Sequence, residues 1–414
     1  MTTFSKTARP GILFTLSLFI GPAAWLMPHQ GVMATLLLQR LAEIDPINKV
    51  FLSAVFSSTA MIIALIANIV LGAVSDATRS RFGKRKPWII GCSVLSCLVL
   101  VAFAYTSNLA GLFIWWCLYE VVVNGVASAM VAQMSDRVPQ RWRATVSSAY
   151  SMGVTVGVQL GALVAAQFLQ NVRLGTLVFA AIALFGGVLS ALMAGEKSNT
   201  DEPRPTGSRA KAFVISMKFP TKGAGDFYKA LAARMLQILS TSMASSYMLY
   251  IIPDYLGQGQ RQTQVLLSVN AIIMLVAGLS MSALIGPFAD RFHKVKLFNV
   301  IATLAIAAGA YFLFFMPTPT GLILFALITG IAGGANATLS QALSLDVLPN
   351  PKAAAKDLGI LNLANTLGGV GATLIAAWLI SMWGYASIFI AESIGMFAAA
   401  ACLAAIKVKV YEDS

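Results

Sequence analysis

Apolar residues form long runs along this chain, and short polar segments separate one run from the next. A run of about eighteen or more apolar residues is long enough to cross a bilayer as a helix. The pattern predicts transmembrane helices at about 10–37, 49–74, 88–106, 109–134, 144–169, 174–194, 227–252, 265–288, 295–316, 321–345, 358–382 and 385–406. The expected fold class is an all-α membrane protein with twelve transmembrane helices in two six-helix bundles.

Composition excludes a soluble protein of two or three domains. Of the 414 residues, 58% are hydrophobic and 11% are charged, and a water-soluble chain has no place for so much apolar surface. The net charge is +13, and a strongly positive net charge is also typical of proteins that bind nucleic acids. Lys and Arg in loops beside anionic lipid headgroups explain it better, so we expect a lipid bilayer and no nucleic acid as partner.

The sequence signatures of enzymes and of ATP-driven pumps are missing. No glycine loop followed by Lys-Ser or Lys-Thr is present, and the two histidines and four cysteines lack metal-ligand spacing. The cysteines lie inside apolar runs, where they pack as small hydrophobic residues. We therefore expect no enzyme activity and no bound cofactor or metal. The first apolar run lacks a signal-peptide cleavage site and should remain as a span.

The longest polar segment, 195–226, predicts a cytoplasmic linker, because it is rich in proline, glycine and charged residues. It separates bundles expected at 1–194 and 227–414. Short segments on one side of the linker repeat on the other side. The first pair is Leu71–Ala77 and Ile285–Arg291, and the second pair is Asp136–Pro139 and Asp346–Pro349. The distance along the sequence is nearly the same for both pairs. Two independent matches at nearly one offset indicate that the two bundles are duplicated.

The loop from Gly72 to Trp88, GAVSDATRSRFGKRKPW, carries one carboxylate and five fixed positive charges. We expect Asp76 to pair with one or two of these cations and to hold the loop against neighbouring helix ends. The loop resembles the signature of the major facilitator superfamily, G-x-x-x-D-R-x-G-R-R/K. Its longer form, S-D-A-T-R-S-R-F-G-K-R-K-P, is similar to two sugar-symporting branches, the glycoside-pentoside-hexuronide:cation symporters and the sucrose–proton symporters. Those branches usually have Arg at the position of Ala77.

The resemblance implies a monomeric secondary active transporter that moves a small solute by alternating access, with the solute site between the bundles near the membrane midplane. It favours proton or cation symport of a sugar or glycoside, with H⁺ or Na⁺ as the coupling ion. The alternative is a proton-driven exporter of drugs or metabolites in the same superfamily. Exporters often have G-x-x-x-G-P-x-x-G-G in helix 5, and Gly157–Ala162 has the first spacing but lacks the Gly-Pro. A sensor without transport activity has no support in the sequence.

Basic residues predict the orientation in the membrane. With both termini in the cytoplasm, the outward segments hold only Arg40, Lys49, Arg173 and Arg261 of the 29 Lys and Arg residues. Short cytoplasmic loops are enriched in Lys and Arg, so this bias supports a multi-pass protein of the cell membrane with both termini inside.

Charged and glycine residues of the cytoplasmic loops are candidates for conformational gating. They lie at helix ends, where charge pairs can form in one state and break in the other. The expected gating residues are Gly72, Asp76, Arg79, Arg81, Gly83, Lys84, Arg85, Asp136, Arg137, Asp290, Arg291 and Asp346.

Only two carboxylates, Glu120 and Glu392, fall well inside predicted spans. A charge there costs about 2.5–3.5 kcal/mol on insertion scales, so such a group usually faces a cavity and has a function. We expect Glu120 to bind the coupling proton or cation, because helix 4 lines the cavity in the superfamily that the chain resembles. His29 is the second candidate for coupling. Glu392 is expected to be structural, because helix 12 is normally peripheral in that family.

A protein site that binds a sugar needs hydrogen-bonding side chains and an aromatic surface. The predicted solute-binding residues are Gln30, Trp116, Tyr119, Asn124, Gln159, Tyr247, Tyr250, Asn336, Gln341, Asn362 and Asn365. A single polar residue in a span more often forms a hydrogen bond between helices. No Arg or Lys is expected deep in any span, which argues against an anionic solute.

Overall fold

The computed structural model describes residues 11–138, 142–196, 198–201, 224–292, 294–347 and 354–407. Within these ranges the chain forms twelve helices long and apolar enough to cross a membrane, and no β-strand. They are α1 (Ile12–Ile44), α2 (Lys49–Ala77), α3 (Lys86–Tyr105), α4 (Leu109–Arg137), α5 (Arg143–Ala166), α6 (Val172–Met193), α7 (Gly225–Tyr255), α8 (Gln260–Phe292), α9 (Val295–Phe315), α10 (Pro319–Asp346), α11 (Ala354–Trp383) and α12 (Ala386–Ala404). The expected all-α membrane fold with twelve transmembrane helices is confirmed.

α1 and α7 each contain one π-helical turn that the apolar pattern did not predict. The turns are Val32–Leu36 in α1 and Ile251–Tyr255 in α7. The turn in α1 begins three residues after His29, and Pro28 beside it has no backbone N–H to donate. A π turn shifts the direction in which side chains point and often occurs at functional sites.

The chain divides into two compact units, which we call unit 1 and unit 2. Unit 1 comprises Met1–Lys49 and Thr59–Ala212, and unit 2 comprises Val50–Ser58 and Phe213–Ser414. Unit 1 therefore contains α1, α3 to α6 and most of α2, whereas unit 2 contains α7 to α12 and the beginning of α2. Most of the predicted linker lies outside the described residues.

In unit 1, a row of glycines on α5 brings this helix against the backbone of α1. A Cβ atom at Gly153 would lie 2.2 Å from the carbonyl oxygen of Phe19, and one at Gly161 would lie 2.5 Å from that of Met27. These distances are too short for any side chain, so only glycine permits this packing. The close packing holds α1, which carries His29, in a fixed position within the unit.

In unit 2, α12 packs against both α7 and α9. The Ser393 hydroxyl donates a hydrogen bond to the carbonyl oxygen of Ala307 on α9, at 3.1 Å. A Cβ atom at Gly395 would meet the Ser240 hydroxyl on α7. This face of α12 is therefore buried within the unit, and it carries Glu392.

Candidate functional site

The two candidates for coupling, His29 and Glu120, form a direct pair in unit 1. His29 Nε2 lies 3.0 Å from Glu120 Oε1. The Glu120 side chain is 1% exposed and that of His29 is 19% exposed. The sequence predicted no fixed counter-ion for Glu120, and the structure gives it a partner that can itself gain or lose a proton. The two residues were expected as alternatives, but they form one site.

Two amides extend this pair into a chain of polar groups between α1, α4 and α2. Asn124 Nδ2 donates to Glu120 Oε2 at 3.3 Å, and Asn68 Nδ2 donates to Asn124 Oδ1 at 2.7 Å. Asn124, which was predicted to bind the solute, therefore binds the Glu120 carboxyl group directly. The sequence predictions missed Asn68, although an amide inside an apolar span was a detectable signal.

Three aromatic rings surround His29. The ring centroids of Trp116 and Tyr119 lie 6.1 and 6.3 Å from that of His29, and the centroid of Trp25 lies at 6.4 Å. Trp116 and Tyr119 are buried. His29 Nδ1, Trp116 Nε1 and the Tyr119 hydroxyl are buried without a hydrogen-bond partner among the described residues. Buried polar atoms of this kind are uncommon, and three of them meet at this pair.

Unit 2 contains a cavity of about 340 Å³. The predicted residues Asn336 and Asn365 line it. Its other polar lining residues, none of which the sequence predicted to bind the solute, are Arg234, Gln237, Thr241, Ser245, Thr329, Ser340 and Glu392. Gln237 and Asn336 both donate to the Thr303 hydroxyl, at 2.9 and 3.0 Å. Part of the cavity wall is therefore a hydrogen-bond network of neutral side chains, and the rest is apolar apart from a few separate polar groups, one cation and one carboxyl group.

The cavity corrects two expectations about charged residues. No Arg or Lys was expected to reach the interior of a bundle, but Arg234, in the third turn of α7, lines the cavity. Glu392 had been expected on a peripheral helix. It is 1% exposed and lines the same cavity, with Oε2 lacking a hydrogen-bond partner among the described residues.

The remaining predicted solute-binding residues do not form one cluster in the described structure. Tyr247 donates its hydroxyl to the Thr373 carbonyl oxygen at 2.9 Å, and the Tyr250 hydroxyl lies 3.1 Å from the Ser53 hydroxyl. Both tyrosines are buried in unit 2 and neither lines the cavity. Gln30 and Gln159 are half-buried in unit 1, Gln341 is exposed in unit 2, and the Asn362 side chain lies outside the described residues.

The basic loop of unit 1 is organised by Arg85. This residue is 1% exposed, and its guanidinium contacts both Asp76 and Asp136, the latter at 2.8 Å from Nη2. Lys84 Nζ lies 3.4 Å from Asp76 Oδ1. The expected pairing of Asp76 with one or two cations of the loop is confirmed, and Asp136 at the end of α4 joins the same cluster.

Glu196, which follows α6, was missed by the sequence predictions and fixes the beginning of α3. Its carboxylate accepts the backbone N–H groups of Arg85 and Lys86, the latter at 2.6 Å. A carboxylate at a helix N-terminus satisfies free donors and interacts favourably with the helix dipole. Gly83 adopts a φ of 100°, and a side chain there would collide with Glu196. The cap by Glu196 is therefore possible only because residue 83 is a glycine.

The other predicted gating residues have different surroundings. Arg79 donates to the Asp76 and Thr78 carbonyl oxygens, and Arg137 donates to those of Ala194 and Gly195. Burial lowers the pKa of Arg137. Gly72 is half-buried, whereas Arg81 and Arg291 are exposed. The side chains of Asp290 and Asp346 lie outside the described residues, so the predicted match between the cytoplasmic loops of the two bundles stays a prediction.

Comparison with known proteins agrees with this architecture. A family model described as MFS/sugar transport protein matches residues 31–350. No curated protein sequence matches the chain. The nucleoside transporter NupG has a similar fold, with a TM-score of 0.73 and 14% identity over 95% of this chain and 99% of that chain.

Two further solved structures share the fold. A POT family transporter in complex with 5-aminolevulinic acid gives a TM-score of 0.73 at 14% identity, over 94% of this chain and 95% of that chain. The human organic anion transporter MFSD10 gives 0.66 at 16% identity, over 96% and 100%. At these identities the likeness shows the fold alone, whereas the family match covers most of the sequence. The chain therefore belongs to the MFS/sugar transport family of the major facilitator superfamily, and it is a multi-pass secondary transporter, not an enzyme.

Proposed function

We propose that this transporter moves a sugar or a related hydroxylated solute by symport with protons. The observation that carries the proposal is the buried His29–Glu120 pair, 3.0 Å apart within an aromatic surround. Both side chains are ionisable, and no Lys or Arg among the described ion pairs neutralises either of them. A pair of this kind can load a proton in one state of a transport cycle and release it in the other.

The polar groups around the pair suggest how proton loading acts on the helices. His29 lies on α1, Glu120 and Asn124 lie on α4, and Asn68 lies on α2. Each proton gained or lost changes the charge of Glu120 or His29 and therefore the strength of the hydrogen bonds along this chain. The pair thus connects proton binding to the packing of three helices, which is the link that coupled transport requires.

The cavity of unit 2 suits a solute with several hydroxyl groups. Its volume of about 340 Å³ lies at the small end of the usual range for ligand pockets, roughly 300–1,000 Å³. Amide and hydroxyl side chains predominate among its polar lining residues, and each can donate and accept hydrogen bonds. Phe325 adds an aromatic surface.

Purified protein in proteoliposomes tests the proposal directly. An inward proton gradient should drive accumulation of at least one sugar or glycoside from a panel, and a protonophore should abolish it. Adding that solute without an imposed gradient should make the external medium more alkaline, because protons enter with the solute. Accumulation that follows a sodium gradient alone, or proton-driven efflux instead of uptake, would contradict proton symport.

We also propose that the cluster around Arg85 acts as a gate that opens during each cycle. Asp76→Asn should then reduce the turnover rate by about tenfold, because it weakens the charge cluster that stabilises the closed conformation of this gate. The affinity for the solute should change little. Asp201→Asn removes an equal charge from an exposed site in the same unit and serves as the control. Equal losses of binding and turnover in Asp76→Asn would exclude a gating role.

The orientation with both termini in the cytoplasm is a further part of the proposal, and it rests on the distribution of Lys and Arg. In a background without the four cysteines, Phe82→Cys and Ser107→Cys place single thiols at exposed positions on opposite ends of α3. An impermeant thiol reagent should label Ser107→Cys in intact cells and reach Phe82→Cys only after permeabilisation. The reverse pattern would invert the topology.

A further inference from the structure

We propose that the cavity of unit 2 contains a carboxylate-binding subsite at Arg234, so that the transported solute is a hydroxylated acid, such as a sugar acid. This inference rests on the proposed transport of a hydroxylated solute and specifies its chemical class. It also reverses the expectation of a neutral solute, because that expectation depended on the absence of Arg from the spans.

Arg234 is a permanent cation in the wall of a cavity inside a span. Its described partners are neutral. Nε donates to Asn365 Oδ1 at 2.9 Å, and Nη1 lies 3.4 Å from the Ser344 hydroxyl. No ion pair joins Arg234 to a carboxylate among the described residues. A half-buried guanidinium in such a place is costly without an anion, and a carboxylate can accept two of its parallel N–H groups.

Glu392 supplies the second, independent indication of a ligand. It is 1% exposed, it lines the same cavity, and its Oε2 has no hydrogen-bond partner among the described residues. Among the described residues of the lining, Arg234 and Glu392 alone have a side chain that can carry charge. A protonated Glu392 can donate a hydrogen bond to a solute hydroxyl, whereas an ionised one would repel a solute carboxylate.

The neutral lining residues complete the recognition of such a solute. Gln237, Asn336 and Ser340 belong to one hydrogen-bond network, in which Asn336 Nδ2 donates to Asn299 Oδ1 at 3.2 Å and the Ser340 hydroxyl donates to Gln237 Oε1 at 3.3 Å. These contacts hold the amide groups in fixed orientations, which favours hydroxyl groups in a fixed arrangement. The cavity thus offers one site for a negative charge and several for hydroxyl groups.

Two pairs of probes test the carboxylate subsite without knowledge of the natural solute. Glucuronate and glucose differ only at C6, and lactate and lactamide differ only in the acid group. In the purified wild type, the acid of at least one pair should bind about tenfold more tightly than its neutral partner, measured by isothermal titration calorimetry at neutral pH. Equal affinity within both pairs would overturn the subsite.

Variants of Arg234 test whether this residue causes the tighter binding of the acid. Arg234→Gln should remove the preference for the acid, and Arg234→Lys, which keeps the charge but not the planar fork, should retain part of it. Lys229→Gln removes a positive charge from the same helix at a half-exposed site, where Lys229 pairs with Asp226, and it should retain the full preference. Glu392→Gln should still bind the acid. A preference that persists in Arg234→Gln would assign the anion to another site.

The subsite and the proposed symport fail in distinguishable ways. Proton-driven uptake of glucose, with no binding preference for either acid, would exclude the subsite and leave the symport intact. Tight acid binding that depends on Arg234, together with uptake that no proton gradient drives, would support the subsite and exclude the coupling by protons.

Discussion

Replacing Glu120 with glutamine should abolish accumulation of the solute against its concentration gradient and leave exchange across the membrane intact. Glutamine keeps the size of the protonated carboxyl group and its hydrogen bond to Asn124, but it no longer titrates. Counterflow needs only the movement of loaded carrier, whereas accumulation needs a proton to be taken up on one side and released on the other. Counterflow and gradient-driven uptake in the same proteoliposomes separate the two steps.

The same variant should lose the pH dependence of the wild type. Wild-type uptake should fall as the external pH rises, because the His29–Glu120 pair is then less often loaded with a proton on the outer side. Glu43→Gln is the matched control, since Glu43 is an exposed carboxyl group that pairs with Arg40 at 3.2 Å. Normal accumulation by Glu120→Gln would make this residue a structural hydrogen-bond partner, and His29→Gln would become the next variant to measure.

The sequence predicted the membrane architecture well because hydropathy reports directly on the solvent of each helix. It also identified Glu120 and His29, because an ionisable residue in an apolar run is rare and costly. It could not pair them. Their contact depends on the packing of α1 against α5, which glycines permit, and on the proline and π turn that orient the residues around His29.

The sequence did not predict that Arg234 and Glu392 line a cavity. Arg234 lies nine residues into α7, near the edge of the apolar run, and hydropathy does not distinguish the end of a span from the loop beside it. Glu392 lies on a helix that is apolar around its whole circumference, so no periodicity indicates which face is buried. Glu196 was missed because its role as a cap depends on a contact between segments more than one hundred residues apart.

Arg85→Met should be among the most destabilising single changes in unit 1. Methionine keeps much of the volume of the arginine stem but leaves Asp76, which is 3% exposed, without its nearest cation. Removing one partner of a buried ion pair costs about 3–5 kcal/mol, and we expect the low end because the Asp136 side chain is 35% exposed. Thermal unfolding of the purified protein, followed by tryptophan fluorescence, measures the loss.

Arg81→Met is the control for this prediction, because Arg81 belongs to the same loop but is exposed and contacts only the ring of Phe82 among its described partners, at 4.9 Å. Its stability should stay within about 0.5 kcal/mol of the wild type. A similar loss in both variants would mean that the loop needs its total charge and not this ion pair.

A double variant identifies the physical origin of the loss. If the loss of the Arg85 guanidinium from the buried carboxylate of Asp76 causes most of the destabilisation, then Asp76→Asn combined with Arg85→Met should be more stable than the sum of the two single effects requires. Additive effects would instead indicate that Arg85 acts mainly through Asp136 and Ser75, to which its Nη1 donates at 2.5 Å. Because Glu196 binds the backbone and not the guanidinium of Arg85, its cap on α3 should persist in every one of these variants, and the helix should still begin at Lys86.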